Sequence, residues 1–526
     1  MQSEGLSIYD LLIAVVYIIS ILGIGAYFYK KQKSPKDFLL AGRNMKWFPI
    51  GFSLMATLTS AVGFMAFPAG AFRFGIIMVW MIMAIPLSYP VVAYVFIPFY
   101  QKLQVYTAYE YLEKRFNHKV RALASMIFIL WRISWMAAVI YVPSMVLNVV
   151  TDGAIPLIPS IIVLGTIATL NTTLGGIRAV MWADVVHSFM LFTSMIIAII
   201  FIFKVVPGGV SEVWSTLSDA GKTSMTGSIE GFGNANIIEK IRLYLFTDIT
   251  VVALIITYTI QKMGNYCVDQ AMVQRYISAS SVEGSRKGFK TNAFAYSFYV
   301  ICVTTIGVGL YAVVSYIPFP ESLQNDQIFP YYIANVMPIG ITGIMIAAIY
   351  GASMSSIDSG INSCISAIFN DFYGRYKLKT YNLDSVEITE QEKARRLKIG
   401  RISALVLGIL ITFFACYVGK LGDIFIYSQR LINMFTGPLF GVFCLAMFTR
   451  RTNAFSALVA GLIGFLTGSL LVFSKNLGID YLAVGVLWPA TVSFFVTVLL
   501  GYSMSIFFGN NKIDAHKYMW RSIMNS

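Results

Sequence analysis

The chain has 526 residues, of which 57% are hydrophobic and only 12% are charged. Its mean hydropathy of +0.72 excludes an ordinary soluble domain and predicts a protein whose solvent is largely lipid. A formal net charge of +14 would suggest a nucleic-acid partner if it were clustered on one soluble face. Because the Lys and Arg residues lie in short segments between apolar runs, we predict an all-α polytopic membrane protein with no nucleic-acid partner.

Apolar runs long enough to cross about 30 Å of hydrocarbon occur thirteen times. Numbered α1 to α13 in chain order, they cover 8–29, 49–72, 75–100, 122–150, 155–174, 179–206, 246–269, 290–316, 340–369, 399–418, 424–449, 454–473 and 481–507. The first run lacks a basic residue before it and is followed by Lys30, Lys31, Lys33 and Lys36, which predicts a retained span. Basic residues in alternate loops predict an outside N-terminus and a cytoplasmic C-terminus in the plasma (inner) membrane.

We expect one transporter domain, 1–526, with no appended soluble domain. After the leading helix at 8–29, the two five-helix halves and the two final helices would cover 49–206, 246–449 and 454–507. The Gly-, Ser- and Thr-rich loop 207–245 is predicted to be irregular, and the loop 317–339 is predicted to hold a short lid helix.

Two spans are interrupted by residues that an ideal membrane helix avoids. They are Thr57, Thr59, Ser60, Gly63 and Pro68 in α2, and Lys262, Gly264, Asn265 and Asp269 in α7. Broken helices are tolerated at membrane depth only where they line a cavity or are buried in protein. Because α2 and α7 stand five spans apart, the pattern indicates a transporter site between inverted repeats, with two ordinary kinks as the alternative.

A row of hydroxyls follows one face of α9. Counted from Ala352, Ser355, Ser356 and Ser359 stand at i+3, i+4 and i+7. Such a row is either a small-residue packing face or a set of neutral oxygen ligands for a monovalent cation. Asp358 in the same stretch favours the ion, because an intramembrane carboxylate is expensive unless it has a partner.

Asp184, near the start of α6, is a second carboxylate of the membrane region. One interpretation is an interfacial ion pair with Arg178. The other is a second cation site shared with Ser355, Asp358 and Ser359, which requires α6 and α9 to touch.

Three cations lie within predicted spans: Arg132, roughly 16 Å deep in α4, Lys262 at comparable depth, and Arg430 in α11. An unpaired cation at the bilayer centre costs at least roughly 2.5–3.5 kcal/mol, so each needs an anionic partner. A ligand could supply it, with Arg132 gripping a carboxylate in bidentate fashion, which would make the substrate a small organic acid. The internal alternatives are Asp184, Asp269 and Asp358.

The sequence offers no catalytic constellation. It lacks HExxH, GxSxG and P-loop patterns, and its three histidines, His118, His187 and His516, are far apart. We therefore expect no enzyme and no organic cofactor, and we expect an ion gradient rather than ATP to supply the energy.

Five segments in the same order resemble the sodium/solute symporter family. They are SPKDFLLAGR before α2, GGIRAVMWADVVH entering α6, NYCVDQAMVQRYISASS leaving α7, ASMSSIDSGINS in α9 and GPLFGVFCLAMFTRRTNAFSALVAG across α11 and α12. The resemblance covers nearly the whole chain. It implies a leucine-transporter-like fold of two inverted repeats, α2–α6 and α7–α11, with one extra helix before and two after, and Na⁺ as the coupling ion.

The resemblance also implies ion sites. A principal sodium site between α2 and α9 would use the backbone carbonyls of Ala56, Thr59 and Ala352 and the hydroxyls of Ser355 and Ser356. A second site, present in some members, would map to Asp184, Ser355, Asp358 and Ser359. Asp358 stands where two-sodium members have serine, so the resemblance leaves open whether this site holds Na⁺, a proton or a salt bridge.

For the solute, the stretch from Ala56 to Ala71 in α2 and the segment WRISWMAAVIYVPSM of α4 look most like the sialic acid branch, in which an arginine of α4 meets the substrate carboxylate. The substrate site implied, with Arg430 added as a further cation, is Ser60, Gly63, Arg132, Lys262, Asn265 and Arg430. We expect Na⁺-coupled import of an anionic solute, with sialic acid or a related sugar acid first. The alternatives are a monocarboxylate, a passive cation channel, or a neutral sugar or polyol with Arg132 and Lys262 paired to Asp358 and Asp184.

Overall fold

The computed structural model describes residues 7–29, 41–172, 177–227, 229, 231–378, 390–508 and 513–525. The basic cluster that follows α1 and most of the segment SPKDFLLAGR lie outside the described residues. Within the described ranges the predicted order of helices is observed.

The helices of the first half and the leading helix are α1 Ile8–Tyr29, α2a Trp47–Leu58, α2b Ala61–Phe74, α3 Ile76–Leu103, α4 His118–Val150, α5 Leu157–Thr172 and α6 Ile177–Val205. The second half contains α7a Tyr258–Val268, α7b Gln270–Ile277, α8 Val282–Tyr316, α9 Ile341–Ala367, α10 Glu390–Val418 and α11 Ile424–Phe448. The chain continues with α12 Ala454–Phe473 and α13 Trp488–Phe508.

The described helices differ in their capacity to cross a membrane. Nine are long and apolar enough, and the bent pair α2a–α2b brings the number to ten. Shorter apolar helices stand at Ile8–Ile21 and Leu157–Thr169, and α7a has 11 residues. The all-α membrane class is confirmed, whereas the count of thirteen spans stays a prediction.

The predicted interruption of α2 is confirmed. Its halves are bent by 60° at a break formed by Thr59 and Ser60. Thr59 leaves the helical region at φ −106°, ψ 63°, and Ser60 is extended at φ −69°, ψ 173°. In the last turn of α2a the Met55 carbonyl accepts the Thr59 N–H at 2.9 Å, whereas the carbonyls after it lack helical donors and are available to other partners.

The break in α7 falls at one residue. Lys262, Gly264 and Asn265, which were expected to interrupt the span, lie inside the continuous helix α7a. The chain leaves the helix at Asp269, with φ −71° and ψ 120°. The Asp269 carboxylate accepts the Ala271 N–H at 2.9 Å and thereby caps α7b. The polar residues before Asp269 are tolerated in the helix because they face a cavity rather than lipid.

Helix packing brings the two broken helices to one centre. α9 contacts both halves of α2, together with α4, α6 and α7b, while α7a packs against α11. The last two helices, α12 and α13, pack against α11 and against each other. The residues at the breaks are therefore surrounded by protein, as backbone that leaves helical geometry at membrane depth requires.

The leading helix is attached to α9 through a buried acid. Asp10 is 2% exposed, and its Oδ1 accepts the backbone N–H groups of Gly340 at 2.8 Å and Gly343 at 2.7 Å. These groups belong to the start of α9, where N–H groups lack helical acceptors. A Cβ at position 343 would lie 2.6 Å from the Asp10 Cα, so only glycine allows this approach.

The loop 207–245 contains two helices, Gly209–Asp219 and Ile237–Phe246, so the prediction of an irregular loop is wrong. In the first of them Val213 and Leu217, at i and i+4, are buried, and the helix packs against α8. This apolar stripe is short and lies among Gly, Ser and Thr residues, which obscured it in the sequence.

The lid helix predicted for the loop 317–339 is present as Ile328–Asn335, packed against α4 and α2b. Asp326, just before it, is 6% exposed and accepts the backbone N–H of Ile424 at 3.3 Å. Burial, together with the nearby Asp423 carboxylate, raises the pKa of Asp326 from 3.8 to about 6.

Asp326→Asn should therefore stabilise the protein at alkaline pH. The raised pKa means that the folded state disfavours the ionised form of Asp326. The stability associated with the protonated form is therefore fully present below about pH 4 and is lost as pH rises through 6. Asn keeps the acceptor without the charge, and the gain at pH 8 is at most about 3 kcal/mol. Thermal unfolding should show a higher midpoint for the variant at pH 8 and equal midpoints at pH 4. The exposed control Asp480→Asn should show no such difference, and equal midpoints at pH 8 would refute the argument.

Candidate functional site

A narrow cavity lies where the break of α2 meets α4, α7a and α11. It is lined by Thr57, Leu58, Val62, Gly63, Ala66, Phe67, Trp131, Arg132, Trp135, Tyr258, Gln261, Lys262, Asn265, Asp269, Ser428, Gln429 and Ile432. The cavity has a volume of only about 30 Å³, which admits water but no organic solute. Its walls must therefore move apart to admit a solute of sugar size.

One face of α4 forms a wall of this cavity. Trp131, Arg132 and Trp135 line it, and together with Phe128 they stand at i, i+3, i+4 and i+7. The Arg132 guanidinium lies 5.3 Å from the Trp131 ring centroid and 5.8 Å from that of Phe128. The aromatic rings stabilise this cation and shield it from lipid.

Arg132 has an internal partner. Its Nη2 donates to Oδ2 of Asp269 in a close ion pair whose side chains are 3% and 0% exposed. Of the three carboxylates that the sequence offered as internal partners, the structure selects Asp269. Because Asp269 also caps α7b, this neutral pair ties α4 to the break in α7.

Lys262 lines the same cavity and is 4% exposed. Its Nζ lies 4.4 Å from the ring centroid of Tyr296 and 5.0 Å from that of Tyr258. No carboxylate among the described residues forms an ion pair with it. The alternative in which Arg132 and Lys262 pair with Asp358 and Asp184 is therefore wrong.

Amide side chains complete the polar part of the cavity. Gln261 Nε2 donates to Gln429 Oε1 at 2.9 Å and to Asn433 Oδ1 at 2.8 Å. Asn265 Oδ1 is buried without a hydrogen-bond partner. Gln261 and Gln429 were not predicted as site residues, although they are polar amides within apolar spans and stand next to Lys262 and Arg430.

Gly63 makes room for a tyrosine. A Cβ at position 63 would lie 2.8 Å from the Tyr299 hydroxyl of α8, and this hydroxyl is buried without a partner. Tyr299 thereby takes the space that a side chain at position 63 would use, next to the cavity. The residues around Gly63 in the sequence do not indicate that a tyrosine of another helix fills this space.

Two further residues of the predicted substrate site lie outside the cavity wall. Ser60 sits at the break of α2, and its buried hydroxyl has no partner. Arg430 is half-buried and is not among the lining residues, although its neighbours Ser428 and Gln429 are. The structure thus keeps Ser60 close to the site and does not bring Arg430 into it.

The helix that carries the hydroxyl row, α9, packs against both halves of α2. Ser356 Oγ is buried without a hydrogen-bond partner, whereas Ser355 Oγ donates to Oδ1 of Asp184. A hydroxyl that donates one hydrogen bond keeps acceptor lone pairs on its oxygen. The other predicted sodium ligands, Ala56, Thr59 and Ala352, are at most 5% exposed. This region therefore holds buried oxygens of the kind that a hard monovalent cation prefers.

Asp184 is paired with Arg275 of α7b, so the predicted pair with Arg178 is wrong. The Arg275 Nη2 donates to Asp184 Oδ2 at 3.1 Å and to Ser359 Oγ at 2.7 Å. Ser53 Oγ accepts from Arg275 Nε at 2.6 Å and donates to Asp184 Oδ2 at 2.5 Å. Both charged side chains are fully buried.

The predicted second cation site thus contains a side-chain cation. Asp184 and Ser359 contact the guanidinium of Arg275, and Ser355 contacts Asp184. Asp358, on the same helix, is half-buried. Arg275 could not be assigned to this cluster from the sequence, because it lies 91 residues from Asp184.

Comparison with known proteins relates this architecture to membrane symporters. A family model described as "Sodium:solute symporter family" matches residues 38–464. The sodium/sialic acid symporter NanT of Aliivibrio fischeri is 30% identical over 516 residues, covering 97% of this chain and 95% of the relative. The sodium-coupled monocarboxylate transporter 1 of Homo sapiens is 30% identical over 445 residues, covering 82% of this chain and 68% of the relative.

Solved structures agree with this relationship. A substrate-bound, outward-open Na⁺-coupled sialic acid symporter aligns with a TM-score of 0.81 at 28% identity, covering 96% of this chain and 99% of that one. Mhp1, a nucleobase-cation-symport-1 family transporter, aligns with a TM-score of 0.53 at 14% identity, which shows the fold alone; the match covers 92% of this chain and 99% of Mhp1. The leucine-transporter-like fold and Na⁺ as coupling ion are confirmed, and the chain belongs to the sodium:solute symporter family.

Proposed function

We propose that this Na⁺-coupled symporter imports a small organic acid, with sialic acid or a related sugar acid as the first candidate. The observation that carries the solute class is the charge balance of the cavity. Arg132 and Lys262 stand against the single lining carboxylate of Asp269, which leaves one positive charge among the described lining residues. A monoanionic solute would neutralise it, whereas a neutral sugar would leave it buried.

The remaining lining residues favour a sugar acid over a simple monocarboxylate. Trp131, Trp135 and Tyr258 offer flat apolar faces, which suit the C–H faces of a sugar ring. Gln261 and Asn265 add amide groups that can hydrogen-bond hydroxyls. The naming of relatives as sodium/sialic acid symporters supports the same solute.

The principal sodium site is proposed at the break of α2, with carbonyls of Ala56, Thr59 and Ala352 and hydroxyls of Ser355 and Ser356. The partnerless hydroxyl of Ser356 and the carbonyls left free at the end of α2a support it. A cation held between α2 and α9 would favour the arrangement in which these helices touch, which couples ion binding to conformation.

A second cation site at Asp184, Ser355, Asp358 and Ser359 is proposed only for a conformation in which α7b has moved. In the present arrangement Arg275 supplies the positive charge beside Asp184 and Ser359. We further propose a plasma-membrane location with the N-terminus outside and the C-terminus in the cytoplasm, from the distribution of basic residues in the loops.

Uptake into proteoliposomes tests the proposed function. Sialic acid should accumulate only with an inward Na⁺ gradient, and it should raise the unfolding temperature of the purified protein more in Na⁺ than in K⁺. A ligand at 100 times its Kd stabilises the folded state by about 2.7 kcal/mol. Equal stabilisation by neutral sugars would contradict the proposal that the solute is an acid. A steady cation current without solute would indicate a channel.

Ser356→Ala should raise the Na⁺ concentration needed for half-maximal uptake. The loss of one oxygen ligand should weaken Na⁺ binding by about 1 kcal/mol, which raises that Na⁺ concentration roughly five- to tenfold. Ser355→Ala should act in the same direction. Uptake at saturating Na⁺ should be affected less. Ser353→Ala is the matched control, because this hydroxyl on the same helix donates to the Val139 carbonyl at 3.1 Å. Unchanged Na⁺ dependence in both variants would show that the ion site lies elsewhere.

A further inference from the structure

The two cations of the central cavity differ in how they are held. Arg132 is already bound to Asp269 in a buried pair that carries no net charge. A solute carboxylate that approached the Arg132 Nε–H, which is buried without a hydrogen-bond partner, would meet a guanidinium whose charge Asp269 already balances. Displacing Asp269 would disturb the residue that caps α7b through the Ala271 N–H. Because the charge of Arg132 is balanced and the buried pair is costly to disrupt, Arg132 is a poor first contact for an arriving acid.

Lys262 has no such competitor. Its ammonium lies against the rings of Tyr258 and Tyr296, which attract a cation without neutralising its charge. The hydroxyls of these two tyrosines are 2.7 Å apart and hydrogen-bond each other. Lys262 therefore brings to the cavity a positive charge that no carboxylate among the described residues compensates.

We propose that Lys262, and not Arg132, receives the carboxylate of the solute and sets the preference of this symporter for acids. Arg132 is then a positioning residue, which holds the break of α7 through Asp269. The inference rests on the proposed import of an anionic solute and adds the residue that recognises the anion. A monoanion bound to Lys262 makes the charge of the cavity zero, with no rearrangement of the Arg132–Asp269 pair.

The surroundings of Lys262 indicate the rest of the ligand. Asn265, at i+3 on α7a, has its Oδ1 buried without a partner, and it lines the cavity as Lys262 does. An amide oxygen accepts a hydroxyl or an N–H beside the bound carboxylate. The ligand class that fits is a monocarboxylate with a hydrogen-bond donor close to its acid group.

The experiment compares sialic acid with its methyl ester, which has nearly the same shape and no charge. Binding is measured from thermal shifts in Na⁺ for the wild type, Lys262→Met, Lys262→Arg and the control Lys475→Met, a change in an exposed loop lysine. The wild type and the control should prefer the acid. Lys262→Met should lose roughly 10- to 150-fold in affinity for the acid and little for the ester, because a hydrogen bond to a charged group contributes about 1.5–3 kcal/mol. Lys262→Arg should retain part of the preference.

A second variant tests the inference without altering Lys262. Arg132→Met combined with Asp269→Asn removes the pair and keeps the net charge of the cavity, and it should still prefer the acid. Loss of that preference in the double variant, or its persistence in Lys262→Met, overturns the assignment to Lys262. A wild-type protein that binds acid and ester equally, or neither, overturns the proposed function as well, so the two failures can be distinguished.

Discussion

Asp184→Ala is expected to destabilise the folded transporter by roughly 3–5 kcal/mol, because it leaves a buried arginine without its counter-charge. Arg275 is fully buried, and Asp184 is the carboxylate with which it forms an ion pair. Its other contacts are neutral oxygens of Ser53, Ser359 and the Ala271 carbonyl. These oxygens satisfy its N–H groups without neutralising its charge.

A double-mutant cycle separates the charge from the contacts. Asp184→Ala and Arg275→Met together leave no unpaired charge, so most of the lost stability should return. The measurement is the unfolding temperature of the detergent-purified protein, followed by size-exclusion chromatography after heating. If Asp184→Ala alone unfolds at the wild-type temperature, or if the double variant is as unstable as the sum of the single changes, the pair does not act as described.

Arg132→Ala is expected to abolish acid uptake, and the addition of Asp269→Asn to restore much of it. The single change leaves the Asp269 carboxylate in the cavity without its partner, where it repels an anionic solute and can attract Lys262. The second change removes that negative charge. Asn is as good an N-cap as Asp, so α7b should keep its start.

Comparing uptake by the single and the double variant distinguishes an arginine that positions α7b from one that binds the solute. If Arg132 contacted the carboxylate itself, the double variant would stay as inactive as Arg132→Ala. Initial rates of Na⁺-driven uptake across a range of solute concentrations supply the comparison. Asp269→Asn alone should not weaken acid binding, because it raises the positive charge of the cavity. A severe loss of affinity in that variant would contradict the scheme.

The helix order and the break of α2 could be predicted from the sequence, because both follow from local composition. Apolar length marks a span, and polar residues such as Thr57 and Ser60 beside Gly63 mark a break. The α9 hydroxyls could be placed on one face from their spacing alone. The need of Arg132 for a carboxylate also followed from the sequence, since a bare charge at that depth is too costly.

The partners in the buried ion pairs could not be predicted in the same way. Arg132 and Asp269 are 137 residues apart, and Asp184 and Arg275 are 91 apart. Which acid meets which base depends on how α7b packs against α2a and α9, and local pattern does not carry that information. Likewise, Tyr299 reaches the space beside Gly63 from α8, a helix that no sequence pattern connects with that glycine.

The contact between Asp10 and the first turn of α9 has a practical consequence for purifying and labelling the protein. Because that carboxylate accepts two N–H groups at the start of the helix carrying Ser355 and Ser356, the leading helix supports the element proposed to bind Na⁺. Shortened versions that begin after α1 would expose this helix start to detergent. Affinity tags and fluorescent fusions therefore belong at the C-terminal end, where they leave the contact undisturbed.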